Sequence, residues 1–393
     1  MRSHMRRSAD PTVVLDARVI AGSGGGPDKT ILNSPRFLEK AGYRNLCLYL
    51  RSPQDAGFES LRQRARECGV SLLEVADNGP LDLGVLPRLL EVCRRERVTI
   101  WHGHDYKTNL LGLLLSAVWP MRLVTTVHGW VHHTARTPLY YAIDRLCLPF
   151  YEVVLCVSPD LYQASLKAGV RRNRCVLVEN GIDLEQYTRT LTPAEARQQL
   201  GMPTDRLVLG AVGRLSAEKG FDVLLRATAE LVKQGWDVEL WIVGAGDERT
   251  ALERLREELG LASRVRLLGF RTDTIRLYQA MDIFVLSSLR EGLPNVVLEA
   301  MALEVPVVAT RIAGVPRLIE DGKNGLLVAP GNFLELADAL VRLLSIPTRR
   351  RQLATAGRQT VATHYSFAKR MDKVRQTYDR LLRRGPFHQE PVT

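Results

Sequence analysis

The sequence contains no long hydrophobic run, and this absence argues against a membrane-spanning helix. Its longest apolar stretch, residues 110–119, ends at Pro120 and has only about half of the roughly 20 residues that cross a bilayer. Aromatic residues are also few, at 6% of the 393 residues. They are not interleaved with the short basic clusters, as a surface for single-stranded nucleic acid would require. We therefore expect no nucleic-acid partner.

Cysteine is scarce, and its spacing shows no paired pattern. The six cysteines include no Cys-x-x-Cys pair, which disfavours a zinc site or a thiol redox site. Several of them lie in apolar runs, where a free thiol packs as a small hydrophobic group. A signal peptide is not expected either, because no apolar run of suitable length follows the first residues. The expected location is the reducing cytoplasm.

Positive charge is present in excess. The 54 Lys and Arg residues and 43 Asp and Glu residues give a net charge of +11, which favours anionic partners such as phosphate-bearing ligands or an anionic membrane surface. Helices expected at residues 59–68 and 86–97 carry arginine on one side and apolar residues on the other. This pattern is typical of a peripheral membrane contact, and also of a helix that packs on a sheet.

Short apolar runs alternate with segments of helix length along the whole chain. Most of these runs are continuous, which is typical of parallel strands covered by helices on both faces. The expected strands form two series, the first at residues 12–16, 46–50, 71–75, 99–101, 123–127, 153–157 and 175–178, and the second at residues 207–212, 238–243, 265–268, 283–286 and 307–309.

The two series predict an α/β protein with two doubly wound, Rossmann-like parallel-sheet domains. A polar stretch at residues 179–192 lacks an apolar period and separates them. We assign residues 6–186 to an N-terminal domain, residues 193–365 to a C-terminal domain, and residues 366–393 to a helix and tail that cross back to the first domain. Because open parallel sheets bind ligands at the carboxyl ends of their strands, we expect the two carboxyl edges to face each other across a cleft.

The loop after the first expected strand is rich in glycine. Gly24, Gly25 and Gly26 precede a helix that we expect to start between Pro27 and Thr30, where unpaired N–H groups would attract an anion. A nicotinamide-dinucleotide fingerprint is disfavoured, because Pro27 stands where the third glycine should be and strand two lacks a terminal acidic residue. A flexible loop without a ligand is the alternative.

The second domain opens with a loop that carries two cations five residues apart, Arg214 and Lys219. Arginine through its planar fork and lysine as a mobile point charge could hold a diphosphate from two sides. Such charges stabilise a diphosphate leaving group where no metal does so. Ordinary solvated surface side chains are the alternative.

The segment after the strand at residues 283–286 carries two carboxylates. Glu291 lies in a loop, and Glu299 lies inside the helix that follows, whose first turn we expect at Pro294. Carboxylates accept hydrogen bonds from vicinal hydroxyls, so this pair suits a sugar and a ribose. A paired-carboxylate hydrolase is the alternative, but it would leave the neighbouring cations without a role.

Histidines are concentrated in one segment of the first domain. His102 and His104 share one face of an expected strand, so a metal site is one interpretation. We favour hydrogen bonding to an incoming acceptor, because these residues follow strand ends where an acceptor would enter. The full cluster is His102, His104, His128, His132 and His133.

Four motifs together resemble glycosyltransferase family 4, whose members are retaining nucleotide-sugar enzymes of the GT-B fold. They are the segment at residues 213–220, the Glu-x7-Glu pair, the run at residues 178–183 and the Thr-Val-His-Gly run at residues 126–129. The resemblance covers nearly the whole chain. It is strongest at residues 210–328 and weak before Thr125.

The resemblance implies roles for the matching residues. Arg214 and Lys219 would hold the donor diphosphate and stabilise the leaving group. Glu291 would contact the donor sugar, and Glu299 would contact the ribose. His128 would lie beside the donor sugar and the scissile bond. The remaining donor-binding residues would be Gly24, Gly25 and Gly26 by the phosphates, Phe270 and Arg271 by the base, and Gly213, Gly292, Leu293, Pro294 and Asn295.

The resemblance further implies a retaining hexosyltransferase that uses a nucleotide-diphosphate sugar and no metal cofactor. The chain contains no Asp-x-Asp triplet, in agreement with metal independence. The acceptor would be a saccharide or lipid-linked saccharide in cell-surface or exopolysaccharide synthesis, at the inner face of the membrane. The alternatives are a soluble sugar or sugar-phosphate synthase and a non-catalytic nucleotide-binding relative. The presence of both cations and both glutamates disfavours the last of these.

Overall fold

The computed structural model describes residues 11–20, 22, 24–79, 82, 84–129 and 137–383. The chain divides into two compact units. The first comprises residues up to Glu179 together with those from Arg370 onward, and the second comprises Asn180–Lys369. His132 and His133 lie outside the described residues.

The first unit contains a seven-stranded sheet in the order β3-β2-β1-β4-β5-β6-β7, and every pairing between neighbours is parallel. Helices connect successive strands, as parallel pairing requires. The elements are β1 (Thr12–Ile20), α1 (Gly26–Leu38), β2 (Tyr43–Arg51), α2 (Phe58–Glu67), β3 (Leu72–Ala76), α3 (Val85–Glu96), β4 (Ile100–Gly103), α4 (Tyr106–Ser116), β5 (Arg122–Val127), α5 (Thr137–Cys147), β6 (Val153–Cys156), α6 (Pro159–Lys167) and β7 (Cys175–Leu177).

The second unit contains a six-stranded parallel sheet in the order β10-β9-β8-β11-β12-β13. Most residues of β9, β11 and β12 are fully buried, which accounts for their continuous apolar sequences. The elements are α7 (Pro193–Gln199), β8 (Leu207–Val212), α8 (Phe221–Lys233), β9 (Val238–Val243), α9 (Arg249–Glu258), β10 (Val265–Gly269), α10 (Thr274–Ala280), β11 (Ile283–Leu286), α11 (Asn295–Ala302), β12 (Val307–Thr310), α12 (Val315–Leu318), β13 (Leu326–Val328), α13 (Phe333–Leu344), α14 (Pro347–His364) and α15 (Phe367–Leu382).

Each sheet reverses its strand order beside its first strand. In the first unit β1 lies between β2 and β4, and in the second unit β8 lies between β9 and β11. Connections leave in opposite directions at such a point, so the carboxyl ends of the two central strands border a crevice where ligands bind. The functional loops of each unit are therefore expected after β1, β4, β8 and β11.

The predicted α/β class with two parallel sheets is confirmed, but several strands have bounds other than those expected. Strand β1 was expected to end at Asp16 but continues to Ile20 beside β2. The sequence did not reveal this because Arg18 interrupts the apolar pattern, whereas in the structure Arg18 forms an ion pair with buried Asp28. Strand β13 was not among the expected strands, although its sequence, Leu-Leu-Val, is a continuous apolar run.

Helix α15 starts in the second unit and continues in the first. At its start, the Phe367 amide donates to the carbonyl of Ile182. Further along, Tyr43 donates to Asp379 at 2.6 Å, and the Tyr378 hydroxyl lies 2.7 Å from Nδ1 of His102. Side chains of this helix thus contribute to the polar interior of the first unit. Within the described residues, no helix combines the length and apolar character needed to span a bilayer.

Candidate active site

The loop after β11 donates hydrogen bonds to backbone carbonyl groups of the loop after β8. The amide of Leu289 donates to the carbonyl of Glu218 at 2.8 Å, and the Ser287 hydroxyl donates to the carbonyl of Lys219 at 3.0 Å. Gly220 has a φ of +59°, and a Cβ atom there would lie 2.3 Å from the Ser287 carbonyl oxygen. Glycine is therefore required for the close approach of these two loops.

The two predicted cations of the β8 loop have different surroundings. Nζ of Lys219 lies 2.5 Å from Oε1 of Glu291, which also accepts from the Ser288 hydroxyl at 2.8 Å. Arg214 is half exposed and contacts Glu218 at 3.2 Å. An exposed pair of this kind contributes little free energy, so Arg214 can exchange Glu218 for an anionic ligand at small cost.

Glu291 and Gly292 lie immediately before the start of α11. Pro294 is the residue that caps this helix, so the expectation that Pro294 forms its first turn was wrong by one residue. A Cβ atom at Gly292 would meet nothing within 4 Å, which leaves open space beside the Gly292 backbone. Leu293 is buried, and Asn295 is the first residue of the helix, where N–H groups lack intrahelical acceptors.

Glu299 is buried in the second unit, with an exposed fraction of 2%. Its carboxylate accepts a hydrogen bond from the Tyr278 hydroxyl at 2.9 Å and one from the Tyr187 hydroxyl at 3.4 Å. Sequence reasoning missed both tyrosines. Tyr187 lies in the linker, more than a hundred residues away in sequence, and Tyr278 lies on α10, 21 residues before Glu299. The two glutamates of the Glu-x7-Glu pair thus differ in their surroundings, because Glu291 contacts the Lys219 ammonium group, whereas Glu299 is buried and accepts from two tyrosine hydroxyls.

The segment after β10 presents one exposed aromatic ring. Phe270 is 62% exposed, whereas Arg271 is held by Asp273 through two contacts at 2.5 and 2.8 Å. An exposed ring offers an apolar face on which a nucleobase can stack. Phe270 therefore has the exposure that stacking on a base requires, while the guanidinium of Arg271 is paired with Asp273.

A second glycine segment supports the β8 loop and was not identified from the sequence. Gly244 follows β9 with a φ of +148°, and a Cβ atom there would lie 1.8 Å from the Gly213 carbonyl oxygen. At Gly246 a Cβ atom would lie 2.3 Å from the Leu215 carbonyl oxygen. The signal was the Gly-Ala-Gly run directly after a strand. Backbone packing of this segment fixes the position of Gly213 and, through it, of Arg214.

In the first unit, the glycine loop leads into α1, which starts at Gly26. Oδ2 of Asp28 accepts a hydrogen bond from the amide of Gly25 at 2.6 Å. Gly24 has a φ of +74°, and a Cβ atom there would lie 2.7 Å from the same oxygen. The carboxylate of Asp28 thus lies at the N-terminus of α1, where the sequence predicted a phosphate, and it is already the acceptor for the Gly25 amide.

The histidine cluster lies largely inside the first unit. His102 and His104 share one side of the sheet, as expected, and their exposed fractions are only 4% and 6%. The expectation that they meet an acceptor was wrong, because both imidazoles are engaged by interior groups. Nε2 of His104 lies 2.7 Å from Oδ1 of Asp16, and Nε2 of His102 lies 2.7 Å from the Thr126 hydroxyl.

His128 follows β5 and is partly exposed. Its Nε2 atom lies 3.0 Å from Nδ1 of His104, and the two rings stack with centroids 5.3 Å apart. Partial removal of its ring from water, followed by the influence of His104, Arg18 and Arg370, holds the pKa of His128 well below its usual range. His128 is therefore a neutral imidazole at physiological pH.

Asp16, His102 and His104 could geometrically hold a metal ion, because one ligand atom from each lies within 4.8 Å of the others. Each ring nitrogen of the two histidines nevertheless has a polar side-chain neighbour among the described residues. Hydrogen bonding alone therefore accounts for the burial of this group, which is the ordinary way to compensate buried polar atoms.

Family models match both units of the chain. One described as Glycosyltransferase Family 4 matches residues 24–186, and one described as Glycosyl transferases group 1 matches residues 206–345. A D-inositol 3-phosphate glycosyltransferase of Corynebacterium urealyticum is 33% identical over 74% of this chain and 74% of its own. The chain belongs to glycosyltransferase family 4. It is a glycosyltransferase.

One further relative and one solved structure are informative. The lipopolysaccharide core biosynthesis glycosyltransferase LpsE of Rhizobium meliloti is 36% identical over 55% of this chain and 60% of its own. The crystal structure of Anabaena Alr3699/HepE in complex with UDP and glucose is 22% identical, with a TM-score of 0.79 over 94% of this chain and all of that one. The expected GT-B fold is confirmed by this similarity.

The glycine contact beneath the β8 loop predicts a strong effect of Gly244→Ala. The new Cβ atom would overlap the Gly213 carbonyl oxygen, so the loop must move. Gly235→Ala is the matched control, because Gly235 also has a positive φ, of +87°, but open space around it. We expect the control to lower the free energy of unfolding by about 1 kcal/mol and Gly244→Ala to lower it further, measured by urea denaturation with tryptophan fluorescence. Equal decreases in the free energy of unfolding for the two variants would contradict the close approach of Gly244 to the Gly213 carbonyl group.

Proposed function

We propose that this glycosyltransferase moves a sugar from a nucleotide-diphosphate sugar to a hydroxyl of a saccharide or lipid-linked saccharide, with retention of configuration and without a metal ion. The observation that supports this most directly is the position of Lys219, Glu291 and Arg214 at the carboxyl ends of β8 and β11, beside the reversal of strand order. Open parallel sheets bind nucleotides at this position.

Charge complementarity supports a diphosphate as the group held there. An ammonium group has three donors, so Lys219 can keep its contact with Glu291 and still donate to a phosphate oxygen. Arg214 can turn from its exposed partner, Glu218, and bind two phosphate oxygens with its planar fork. Both cations would then stabilise the negative charge that develops on the diphosphate as its bond to the sugar breaks.

The other donor contacts follow from the same placement. Glu291 and the open backbone at Gly292 would bind hydroxyls of the donor sugar, and Glu299 would bind the ribose while its tyrosine partners fix the carboxylate. The exposed ring of Phe270 would stack on the base. Since the similar structure from Anabaena holds UDP and glucose, UDP-sugars are the first donors to test.

Retention is proposed through front-face displacement. The bond between the sugar's anomeric carbon and the diphosphate oxygen breaks, and the acceptor oxygen bonds to the same face of that carbon. The acceptor's proton passes to an oxygen of the departing diphosphate, so no protein carboxylate forms a covalent bond. The pairing of Glu291 with Lys219 and Ser288 supports this route, since a carboxylate engaged in this way is a poor nucleophile.

The acceptor class has two candidates. The similarity to a lipopolysaccharide core enzyme favours a saccharide carried on a lipid, as proposed above. The second candidate is a phosphorylated cyclitol or sugar, and the specific observation in its favour is the 33% identity to a D-inositol 3-phosphate glycosyltransferase over 74% of the chain. The two differ in whether the reaction needs a lipid-borne acceptor.

A peripheral contact with an anionic membrane at the cytoplasmic face is part of the first candidate. Its support is the net charge of +11. The arginines of α2 and α3 give little further support for a membrane contact, because several of them already pair with carboxylates. These pairs are Arg62 with Glu59 and Glu74, Arg66 with Glu59, Arg88 with Asp82 and Arg95 with Glu96.

The proposed donor site predicts large losses of turnover for Lys219→Ala and Glu291→Gln. With UDP-glucose as donor, we expect each to lower kcat by on the order of 100-fold, as removal of one charge-stabilising contact does elsewhere. Lys323→Ala and Glu320→Gln are the matched controls, because these side chains form an exposed ion pair in the same unit. Rates are measured by release of the nucleoside diphosphate. Near-normal turnover in either site variant would overturn the assignment.

Metal independence and retention can be tested in one reaction. In excess chelator, we expect the rate to be unchanged, because Arg214 and Lys219 would supply the positive charge that a metal supplies elsewhere. The product, examined by proton NMR, should carry the sugar in the donor's anomeric configuration. A rate that falls and returns with manganese, or an inverted product, would show that the corresponding part of the proposal is wrong.

A further inference from the structure

Three polar side chains form a hydrogen-bonded chain that leads from the interior of the first unit to His128. Asp16 on β1 lies 2.7 Å from Nε2 of His104, and Nδ1 of His104 lies 3.0 Å from Nε2 of His128. Asp16 and His104 are buried, whereas His128 is partly exposed. In this series of hydrogen bonds, Asp16 is therefore the buried end and His128 is the end that solvent can reach.

The direction of each hydrogen bond follows from the charge of Asp16. Burial opposes the ionisation of Asp16, but His102 and His104 outweigh that effect and hold its pKa below the usual range. Its other oxygen, Oδ2, accepts from the side-chain amide of Asn45 at 2.7 Å. An ionised carboxylate can only accept, so Nε2 of His104 must carry the proton that it donates.

The state of His104 then determines the state of His128. Burial, followed by the influence of His102, lowers the pKa of His104 to about 4, so its ring is neutral at pH 7. A neutral imidazole with a proton on Nε2 has only a lone pair on Nδ1. The contact between Nδ1 of His104 and Nε2 of His128 can therefore form only if His128 donates.

We propose that His104, oriented by Asp16, is a positioning residue that holds His128 in the tautomer protonated at Nε2, so that Nδ1 of His128 is a hydrogen-bond acceptor for a substrate hydroxyl. The tautomer follows from contacts within the first unit alone. The identity of the ligand as a sugar hydroxyl rests on the proposed function. His128 in this state cannot donate a proton from Nδ1, so it orients substrate and does not act as a general acid.

The surrounding charges keep this arrangement over a range of pH. His104, Arg18 on β1, Arg370 on α15 and His102 all oppose a second proton on the ring of His128. Asp16 is a negatively charged group of this cluster, and the ring of His104 lies between it and His128. The tautomer should therefore persist below neutral pH.

Nitrogen NMR of the whole chain, labelled with 15N-histidine, tests the tautomer directly. The signals of His128 are identified by their loss in His128→Gln. We expect a protonated Nε2 and an unprotonated Nδ1 at pH 7, with the same pattern at pH 6. A proton on Nδ1, or a ring protonated on both nitrogens at pH 7, would overturn the proposal. Added Zn²⁺ that shifts the signals of His102 and His104 together would also overturn it, since a metal would take their lone pairs.

Two substitutions of His104 separate positioning from simple packing. The side-chain oxygen of His104→Asn can replace Nδ1 as the acceptor, so the His128 spectrum should stay as in the wild type. His104→Leu offers no acceptor, so both tautomers of His128 should appear and kcat should fall about tenfold, the effect of losing one hydrogen bond, with little change in KM for the donor. His364→Asn, an exposed histidine on α14, is the control.

The outcomes distinguish this proposal from the proposed function. The predicted tautomer without any sugar transfer would contradict the proposed function and leave the role of His104 supported. Transfer activity with the opposite tautomer would contradict the role of His104 alone. If His104→Leu does not fold, the wild-type spectrum and the His104→Asn variant still test the proposal. Loss of the His128 Nε2 proton signal in the asparagine variant would contradict it.

Discussion

The ion pair between Lys219 and Glu291 is the interaction on which the candidate donor site depends. It joins loops that follow two neighbouring strands, β8 and β11. The side chains of Lys219 and Glu291 retain only 21% and 11% exposure, so water screens this pair less than it screens a surface pair. Because Glu291 holds the ammonium group in place, Lys219 is preorganised for a ligand and loses little rotamer freedom when an anion arrives.

Backbone packing beneath these side chains is equally necessary. Gly244 and Gly246 let one segment lie directly against the carbonyl groups of Gly213 and Leu215, and Gly220 lets the β8 loop reach Ser287. Three close approaches of this kind leave the loop few alternative positions. These glycines make folding less favourable, because glycine loses more conformational freedom on folding than any other residue. In return, the charged side chains of the site are held in fixed positions.

Much of this arrangement could be predicted from the sequence, and the limits have physical causes. Continuous apolar runs gave nearly all the strands, and loops after strands gave the positions of Arg214, Lys219 and Glu291. Spacing could not reveal that Glu299 is held by Tyr187, because the partner is distant in sequence. Spacing also could not show that the Asp28 carboxylate accepts the hydrogen bond of the Gly25 amide in the glycine loop. The buried histidines were misjudged because strand periodicity shows which residues share a face but not what covers it.

The central claim is that the cations of the β8 loop bind a diphosphate, and calorimetric titration with UDP and UMP tests it most directly. The two ligands differ by one phosphate, so their difference in affinity measures what that phosphate contributes. We expect the wild-type chain to bind UDP at least about tenfold more tightly than UMP, from one or more charge-assisted hydrogen bonds. In Lys219→Met this preference should shrink. Equal affinities of the wild-type chain for UDP and UMP would contradict the account.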